Sequence, residues 1–183
     1  MPHTFAVGYN IFAGVTYVVP PPEPLTADMM NLVYKYADLD GALLAPSLIV
    51  DCCNNPEYYK IMLSNLKFLS YVAGALPEEV GGEVTRRIKL MILMGSCETA
   101  LHPLEINENP ADWQYLTISE HLGHAFVEHK DGYHELVIKR DSKREIFQSV
   151  FSTFPAMQEF TSGDLIEQHP SRPQSWVFRA RTD

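Results

Sequence analysis

Two apolar runs of the sequence each give way to a loop of small residues that suits ligand binding. The run from Lys67 to Val72 leads into Ala73-Gly74-Ala75, and the run ending at Met94 leads into Gly95-Ser96-Cys97-Glu98-Thr99. Small side chains let a ligand approach backbone groups, and ligands of open α/β sheets settle outside the carboxyl ends of the parallel strands. We therefore expect these two loops to line one pocket.

Histidines and cysteines offer a second kind of chemistry, metal binding. His124, His129 and His134 are spaced by five residues, which puts no two of them on one helix face and is not a usual zinc signature. We expect structural or surface histidines there. The three cysteines include the adjacent pair Cys52-Cys53, which forms no disulfide framework and favours reduced thiols in the cytoplasm.

An alternation of strands and helices must position the loops. Prolines and capping residues punctuate the first half, and the apolar runs between them have strand or helix spacing. The pattern predicts strands over 15–19, 42–44, 67–72 and 89–94, and helices beginning at Thr26, Pro46, Pro56 and Pro77. Strand, helix, strand, helix in this order implies parallel pairing with right-handed crossovers.

After about residue 110 the pattern changes to that of an antiparallel sheet. Asp131-Gly132 lies between the apolar runs Phe126–His129 and His134–Ile138, which is a strong hairpin signal. Residues 150–154 and 176–181 are predicted as further strands. The predicted fold class is α/β, with a parallel β-α-β subdomain over residues 1–110 and a smaller antiparallel or barrel-like β portion over residues 111–183.

Composition excludes several classes of partner. The 183 residues carry a formal net charge of -9, and no cluster of Lys or Arg exceeds Arg86-Arg87, which argues against a nucleic acid. No stretch of the sequence reaches the roughly 18 apolar residues of a membrane span, and the N-terminus lacks the pattern of a secretory signal. We expect a cytoplasmic globular protein without nucleic-acid or membrane partners.

Several motifs together resemble those of a known enzyme superfamily. Tyr71–Pro77, Gly95–Ala100, Thr161–Leu165 and Arg179–Asp183 follow one another in the order and approximate spacing of the adenylate-forming enzymes. That superfamily includes acyl-CoA synthetases, luciferases and the adenylation domains of nonribosomal peptide synthetases. The narrower resemblance is to the adenylation domain of fungal nonribosomal-peptide-synthetase-like carboxylate reductases, of which the sequence is similar to a central fragment. The segments that carry it are Asp112–Tyr115, Tyr133–Ile138 and Val150–Pro155.

The resemblance implies a nucleotide site with AMP or ATP and Mg²⁺ as cofactors. It places adenine against Ala73-Gly74-Ala75, the α-phosphate beside the second loop, and the ribose hydroxyls on the carboxylate of Asp164, with Arg181 nearby. Glu98 is the implied magnesium ligand, a hard oxygen donor for a hard cation. The implied nucleotide-binding residues are Ala73, Gly74, Ala75, Gly95, Ser96, Cys97, Thr99, Asp164 and Arg181.

Each of these roles has a simpler alternative. Glu98 after a buried strand also suits the N-terminus of a helix, where acidic residues are favoured. Asp164, which follows Ser162-Gly163, also suits a turn. Arg181 taken alone is most often a surface charge. The joint order of the motifs is what favours the nucleotide site.

The resemblance also implies an acyl pocket, with an aromatic or fatty carboxylic acid as the small-molecule partner. Met94 stands where the family usually has an aromatic residue that stacks on adenine. His3 resembles the family's histidine near the acyl group and is the candidate catalytic residue, because an imidazole can position a carboxylate or move a proton. The implied lining residues are mostly apolar: Phe5, Gly8, Ala45, Pro46, Ser47, Tyr71 and Met94.

Two parts of the family's machinery have no counterpart in this sequence. We find no Ser/Thr/Gly-rich triphosphate loop, and Asp183 falls at the family's hinge, before the lid that carries a catalytic lysine. Since backbone N–H groups must converge on phosphate and a cation must stabilise the developing charge, we expect no efficient ATP-dependent carboxylate activation by this polypeptide alone.

Two interpretations of function follow. In one, the chain is a truncated adenylation-like protein that keeps an acyl or AMP pocket, and missing subdomains or a synthetase act as its partner. In the other, it is a standalone remnant repurposed in secondary metabolism as a small-molecule binder, an isomerase or cyclase, or a partner protein. Truncation would also expose apolar surface, which favours a homo-oligomer.

Overall fold

The computed structural model describes residues 11, 13–19 and 21–182. The α-helices bounded within these ranges are α1 (Ala27–Tyr36), α2 (Pro46–Asn54), α3 (Pro56–Asn65), α4 (Glu78–Val84) and α5 (Val150–Thr153). The strands are β1 (Gly41–Leu44), β2 (Phe68–Tyr71), β3 (Lys89–Ile92), β4 (Gly95–Ser96), β5 (Ala100–Leu101), β6 (Leu104–Glu105), β7 (Thr117–Ile118), β8 (His124–Glu128), β9 (His134–Lys139), β10 (Glu159–His169) and β11 (Arg172–Arg181). Short 3-10 helices cover Pro110–Asp112, Glu120–Leu122, Lys130–Gly132 and Glu145–Phe147.

A parallel sheet in the order β1-β2-β3 forms the first part of the fold. Thr26 and Asn55 cap α1 and α3 with side-chain oxygens that accept backbone N–H groups. Pro46 and Pro56 each occupy a first helical turn, where a missing N–H has no partner to lose. The predicted parallel β-α-β arrangement is confirmed by the pairing of β2 with both neighbours.

An antiparallel sheet in the order β11-β10-β9-β8 forms the second part. The predicted hairpin joins β8 to β9 through Asp131 (φ 62°) and Gly132 (φ 79°), the left-handed conformations that an Asp-Gly turn adopts readily. Within the described residues β8 and β11 do not pair, so the sheet stays open. The prediction of an antiparallel portion is confirmed, and its barrel-like variant is wrong.

The predicted strand at 15–19 is wrong. These residues have no regular secondary structure, and Val18 and Val19 are 48% and 72% exposed. An apolar run forms a strand only where a neighbouring strand can pair with it and a core can cover one face. In the part of the chain that the structure describes, no strand pairs with this segment.

The predicted strand at 150–154 is also wrong, because this segment forms helix α5. Val150 and Phe151 are adjacent in sequence and both buried, whereas Ser152 and Thr153 are exposed. Such a pattern lacks the alternation of a half-buried strand. The backbone N–H of Phe154 instead bonds to the carbonyl of Val150 at 2.8 Å, which closes one helical turn.

Two hydrophobic cores lie under the two sheets. Each core contains a buried residue from the other side of the predicted domain boundary at residue 110. Trp113 packs in the first core, with the helices and the parallel sheet, while Met94 packs in the second, with the antiparallel sheet. The division at residue 110 therefore stays a prediction. Among the described residues, no helix combines the length and apolar character needed to cross a membrane.

Candidate functional site

The carboxyl ends of the three parallel strands lie side by side at one edge of the sheet. Leu44 of β1 is level with Tyr71 of β2, and Tyr71 is level with Ile92 of β3. Backbone pairing continues one residue further, because Leu93 N–H donates to the Tyr71 carbonyl at 2.8 Å. Adjacent strands are about 4.8 Å apart, so the loops that follow them begin as neighbours. The expectation that the two small-residue loops line one pocket stays a prediction.

The loop after β2 has a backbone that few residue types adopt. Ala73 has φ 71° and Gly74 has φ 150°, and the second value favours glycine because it has no Cβ. Ala73, Gly74 and Ala75 are all exposed. A Cβ built on Gly74 would lie 3.8 Å from Cγ of Pro46, which places the loop beside the first turn of α2, where Ala45 and Ser47 are exposed as well.

The loop after β3 is the turn of a β-hairpin between β4 and β5. The Ser96 hydroxyl accepts the backbone N–H groups of Glu98 and Thr99, each at 3.2 Å. The Thr99 hydroxyl in turn lies 3.1 Å from the Ser96 backbone nitrogen. These bonds fix the turn and present Glu98 and the exposed Cys97 at its tip. The alternative in which Glu98 begins a helix is wrong.

Gly95 allows this hairpin to close. A Cβ at that position would lie 2.8 Å from Cα of Leu101 and 2.9 Å from the carbonyl carbon of Ala100, and it would also overlap the Ala100 carbonyl oxygen. Real Cβ atoms do not approach backbone that closely. The residue type at 95 therefore follows from the contact between β4 and β5.

Asp164 and Arg181 face each other across the start of β10 and the end of β11. They are register partners, and Nη1 of Arg181 donates to Oδ1 of Asp164 at 3.1 Å. Gly163 (φ 74°) bends β10 just before the carboxylate, whose side chain is 17% exposed. Asp164 therefore belongs to an irregular strand rather than to a connecting turn, and Arg181 is an ion-pair partner rather than an isolated surface charge.

Arg181 also connects the hairpin turn to the antiparallel sheet. The pKa of Glu98 is lowered chiefly by the Ser96 hydroxyl, then by a backbone N–H, and also by the positive charge of Arg181. A guanidinium thus acts on two carboxylates that stand 66 positions apart in the sequence, at 98 and 164. An ionised Glu98 with oxygen donors suits a hard cation such as Mg²⁺, although no cluster of three or more ligating side chains occurs among the described residues.

Three predicted site residues have buried side chains. Tyr71 is 1% exposed and packs 6.0 Å, centroid to centroid, from Trp113 in the first core. Met94 lies in the second core at 7% exposure, and Thr99 is buried at 4% with its hydroxyl in the hairpin bonds. Their contact with a ligand stays a prediction.

The structure gives no account of three further predictions. His3, Phe5 and Gly8 lie outside the described residues. The histidines at 124, 129 and 134 do not join any cluster of metal-binding side chains within the described ranges, and their structural or surface role stays a prediction.

Sequence reasoning missed the residue that ties the hairpin to the second core. The Ser149 hydroxyl donates to the Thr99 carbonyl at 2.6 Å, and the neighbouring Gln148 is fully buried with bonds to the carbonyls of Leu122 and Lys139. A serine and a glutamine before an apolar run carry no local signal of such a role. Only the folded chain brings Ser149 to the hairpin.

The sequence is similar to two fungal reductases. No family model matches the chain. The sequence is 30% identical over 173 residues to the adenylate-forming reductase Nps10 of Heterobasidion annosum, which covers 89% of this chain and 15% of that protein. It is 26% identical over 165 residues to a carboxylic acid reductase of Neurospora crassa, which covers 88% of this chain and 16% of the relative.

A solved structure shares the fold. The anthranilate CoA ligase AuaEII, solved with anthranoyl-AMP, superposes with a TM-score of 0.67 at 14% identity, over 93% of this chain and 35% of the ligase. The chain thus spans about one sixth of the length of the curated relatives it matches. Fungal reductases are therefore among its homologues, and the chain is similar to a central fragment of the fold that adenylate-forming enzymes share.

Proposed function

We propose that the site around the two loops binds AMP, or the adenylate of a carboxylic acid. The observation that carries the proposal is the position of Arg181, which pairs with Asp164 at 3.1 Å and lowers the pKa of Glu98. Arg181 thereby relates the hairpin turn that carries Glu98 to the β10–β11 pair that carries Asp164. A nucleotide needs such a convergence, since its phosphate and its ribose must be held at the same time.

The residues present fit the parts of a nucleotide. Ala73 and Gly74 have no bulky side chain and are exposed, so a purine can lie against their backbone. The Asp164 carboxylate can accept hydrogen bonds from two ribose hydroxyls. Glu98 would hold Mg²⁺, which when bound supplies positive charge beside the phosphate.

An aromatic or fatty acid is the proposed acyl group. Pro46 lies beside Gly74, and the buried Tyr71 precedes that loop, which supports an apolar surrounding for an acyl group next to the proposed purine site. The AuaEII ligase, which shares the fold, was solved with an aromatic acyl-adenylate, which supports the same class here. An apolar pocket rewards a ligand with apolar surface.

We do not propose that these 183 residues activate a carboxylate on their own. The chain spans about one sixth of its curated relatives, and we propose that full carboxylate activation needs other subdomains or a partner synthetase. ATP–pyrophosphate exchange with a panel of aryl and fatty acids measures this directly. Robust exchange by the chain alone would show the proposal to be wrong on this point.

Thermal unfolding with AMP tests the nucleotide site. A ligand at about 100 times its Kd stabilises the folded state by about 2.7 kcal/mol, which for a chain of this size raises Tm by about 5–10 °C. Asp164→Asn should remove most of the shift. Glu167→Gln is the matched control, because Glu167 forms the neighbouring ion pair with Arg179 at 2.7 Å between the same two strands.

Two outcomes would contradict the proposal. One is an unchanged Tm of the wild-type chain at millimolar AMP with Mg²⁺. The other is an equal loss of the AMP shift in the Asp164 and Glu167 variants, which would mean that the effect reports on strand stability. A shift with aryl acids but not with AMP would favour the repurposed small-molecule binder, which, like the isomerase, cyclase and partner-protein roles, stays a prediction. We also propose a cytoplasmic location, supported by the three free cysteines.

A further inference from the structure

A hydroxyl, an imidazole and a carboxylate are joined by hydrogen bonds at one end of the antiparallel sheet. Oγ of Ser171 lies 3.3 Å from Nδ1 of His169, and Nε2 of His169 lies 3.3 Å from Oδ1 of Asp112. His169 ends β10 and Ser171 lies in the turn that leads to β11, whereas Asp112 ends the 3-10 helix Pro110–Asp112. His169 stands five residues beyond Asp164 along β10, about 16 Å away. The cluster is therefore separate from the proposed nucleotide site.

The hydrogen bonds fix the position of the proton on the His169 ring. The backbone N–H of Ser171 donates to Nδ1 at 3.1 Å, and because a backbone N–H can only donate, Nδ1 is the acceptor. The proton of the neutral ring is therefore on Nε2, where it faces the Asp112 carboxylate. The Ser171 hydroxyl is left as a second donor to Nδ1. In this arrangement an imidazole can act as the general base for a hydroxyl nucleophile.

The imidazole and the carboxylate are held in place, while the hydroxyl is accessible. The side chains of His169 and Asp112 are both 12% exposed, and the Tyr115 ring packs edge-on against the imidazole with 4.4 Å between the centroids. The Asn109 amide donates to the second oxygen of the Asp112 carboxylate. Ser171 is exposed, so a small molecule can reach its oxygen without any movement of the other two groups.

A structural role accounts for part of this cluster. Asp112 bonds to His169 and forms an ion pair with Arg172, which anchors the β10–β11 turn to the 3-10 helix. The Ser171 hydroxyl is not needed for that anchor, because the Ser171 backbone N–H already bonds to Nδ1. Arg172 also brings a positive charge to the residue next to the serine. Positive charge stabilises the negative oxygen that develops when a hydroxyl attacks an ester carbonyl.

We propose that Ser171 and His169 hydrolyse small carboxylic esters that have a good leaving group. The Ser171 oxygen forms a bond to the ester carbonyl carbon while its proton passes to Nδ1 of His169. The leaving oxygen departs with the electron pair of the broken C–O bond and takes up that proton. Water then attacks the acyl-serine and gives one proton to Nδ1, after which Ser171 regains this proton and the carboxylic acid leaves. Asp112 is a positioning residue, because it orients the ring and stabilises its positive charge.

Two features limit the reaction to activated esters. Protonation of Nδ1 displaces the bond from the Ser171 N–H, which costs about 1 kcal/mol and corresponds to an about fivefold slower reaction. Ser171 also stands on an exposed turn, where a substrate has little surface to bind. p-Nitrophenyl acetate is a suitable substrate, because its leaving group is stable as an anion.

A fluorophosphonate probe tests whether the serine is activated. Such a probe forms a P–O bond to an activated serine with loss of fluoride, and peptide mass spectrometry identifies the labelled residue. Ser171 of the 183-residue chain should be labelled, and unfolding in urea should abolish the labelling. Ser64 is the internal reference, because its exposed hydroxyl donates to a backbone carbonyl, that of Lys60, rather than to an imidazole.

Matched variants assign the roles of the three side chains. His169→Gln should slow both the labelling and the hydrolysis of p-nitrophenyl acetate about 100-fold, a typical contribution of a general base. Ser171→Ala should abolish the labelling and most of the hydrolysis without lowering the Tm. His121→Gln is the control, because His121 is an exposed histidine that stacks on Phe147. Asp112→Asn should slow the labelling of the folded chain, measured well below its Tm, whereas loss of an anchor alone would lower the Tm and leave that rate unchanged.

Four results would each overturn the inference. The first is labelling of Ser171 no faster than that of Ser64, and the second is equal labelling in the His169 and His121 variants. The third is a wild-type labelling rate in Asp112→Asn. The fourth is hydrolysis at the wild-type rate in Ser171→Ala, which would assign the reaction to a histidine that attacks the ester directly. No AMP is present in these measurements, so their outcome is independent of the nucleotide proposal.

Discussion

Substitution of Gly95 by alanine gives the sharpest test of how the hairpin presents Glu98. The new Cβ would stand 2.8 Å from Cα of Leu101 and 2.9 Å from the carbonyl carbon of Ala100, where ordinary contact begins near 3.4 Å. Because both obstacles are backbone, no side chain can turn aside to relieve them. Strands β4 and β5 must separate.

The cost has two parts. Overpacking of this kind costs about 1–3 kcal/mol, and each backbone hydrogen bond that the hairpin loses costs about 1 kcal/mol. We expect Gly95→Ala to lower the free energy of unfolding by about 3 kcal/mol in urea titrations and to weaken AMP binding at least tenfold. The effect on binding follows because the turn no longer fixes the position of Glu98.

Gly82→Ala is the matched control for the same chemical change. Gly82 lies within α4, and a Cβ there meets nothing within 4 Å. Alanine in a helix is more stable than glycine by about 0.5–1 kcal/mol, so this variant should gain stability and bind AMP normally. An unfolding free energy of the Gly95 variant within about 0.5 kcal/mol of the wild type would refute the reasoning from backbone contact.

Three further perturbations have defined outcomes. Gln148→Leu should cost about 3 kcal/mol of unfolding free energy in urea, since this buried amide makes three backbone hydrogen bonds; a loss below about 1 kcal/mol would contradict this. Ser96→Ala should raise the pKa of Glu98 in an NMR titration, because the serine hydroxyl is the largest cause of its lowering; an unchanged pKa would contradict that cause. Burial lowers the pKa of His102 from 6.5 to about 4, so between these two pH values the unfolded chain binds more protons than the folded chain. The free energy of unfolding should therefore fall by on the order of 3 kcal/mol as the pH drops through this range. His102→Phe should flatten that pH dependence and the exposed His121→Gln should keep it, whereas an equal slope in both would exclude His102 as its source.

Much of the fold could be predicted because its signals are local. Thr26 indicates a helix because its side chain can cap one, and Pro46 indicates a helix because a first-turn proline has no N–H to leave unpaired. Asp131-Gly132 indicates a hairpin because few residues adopt the backbone conformations that its turn needs. The two wrong strands, at 15–19 and 150–154, are short apolar runs. Such runs do not distinguish a strand from a buried helix or from an exposed segment, since the decision depends on which neighbours are within reach.

The order of the site's motifs along the chain could be predicted from the sequence, but the contacts between their residues could not. Ala73, Glu98 and Asp164 stand in recognisable motifs, and the parallel register explains why the first two loops begin together. The electrostatic influence of Arg181 on Glu98 depends on how the antiparallel sheet packs against the hairpin. No spacing in the sequence encodes that packing, and the hydrogen bond from Ser149 to Thr99 also has no local signature.

The unequal surroundings of the three cysteines make the chain selective towards thiol reagents. Burial raises the pKa of Cys52 to about 11 and of Cys53 to about 12, which leaves almost no thiolate on either at neutral pH, and the thiolate is the reactive form. Cys97 is exposed and lies next to Glu98. A maleimide dye would therefore attach at the tip of the β4–β5 hairpin without any engineered cysteine, and its emission would report directly on ligands that arrive there.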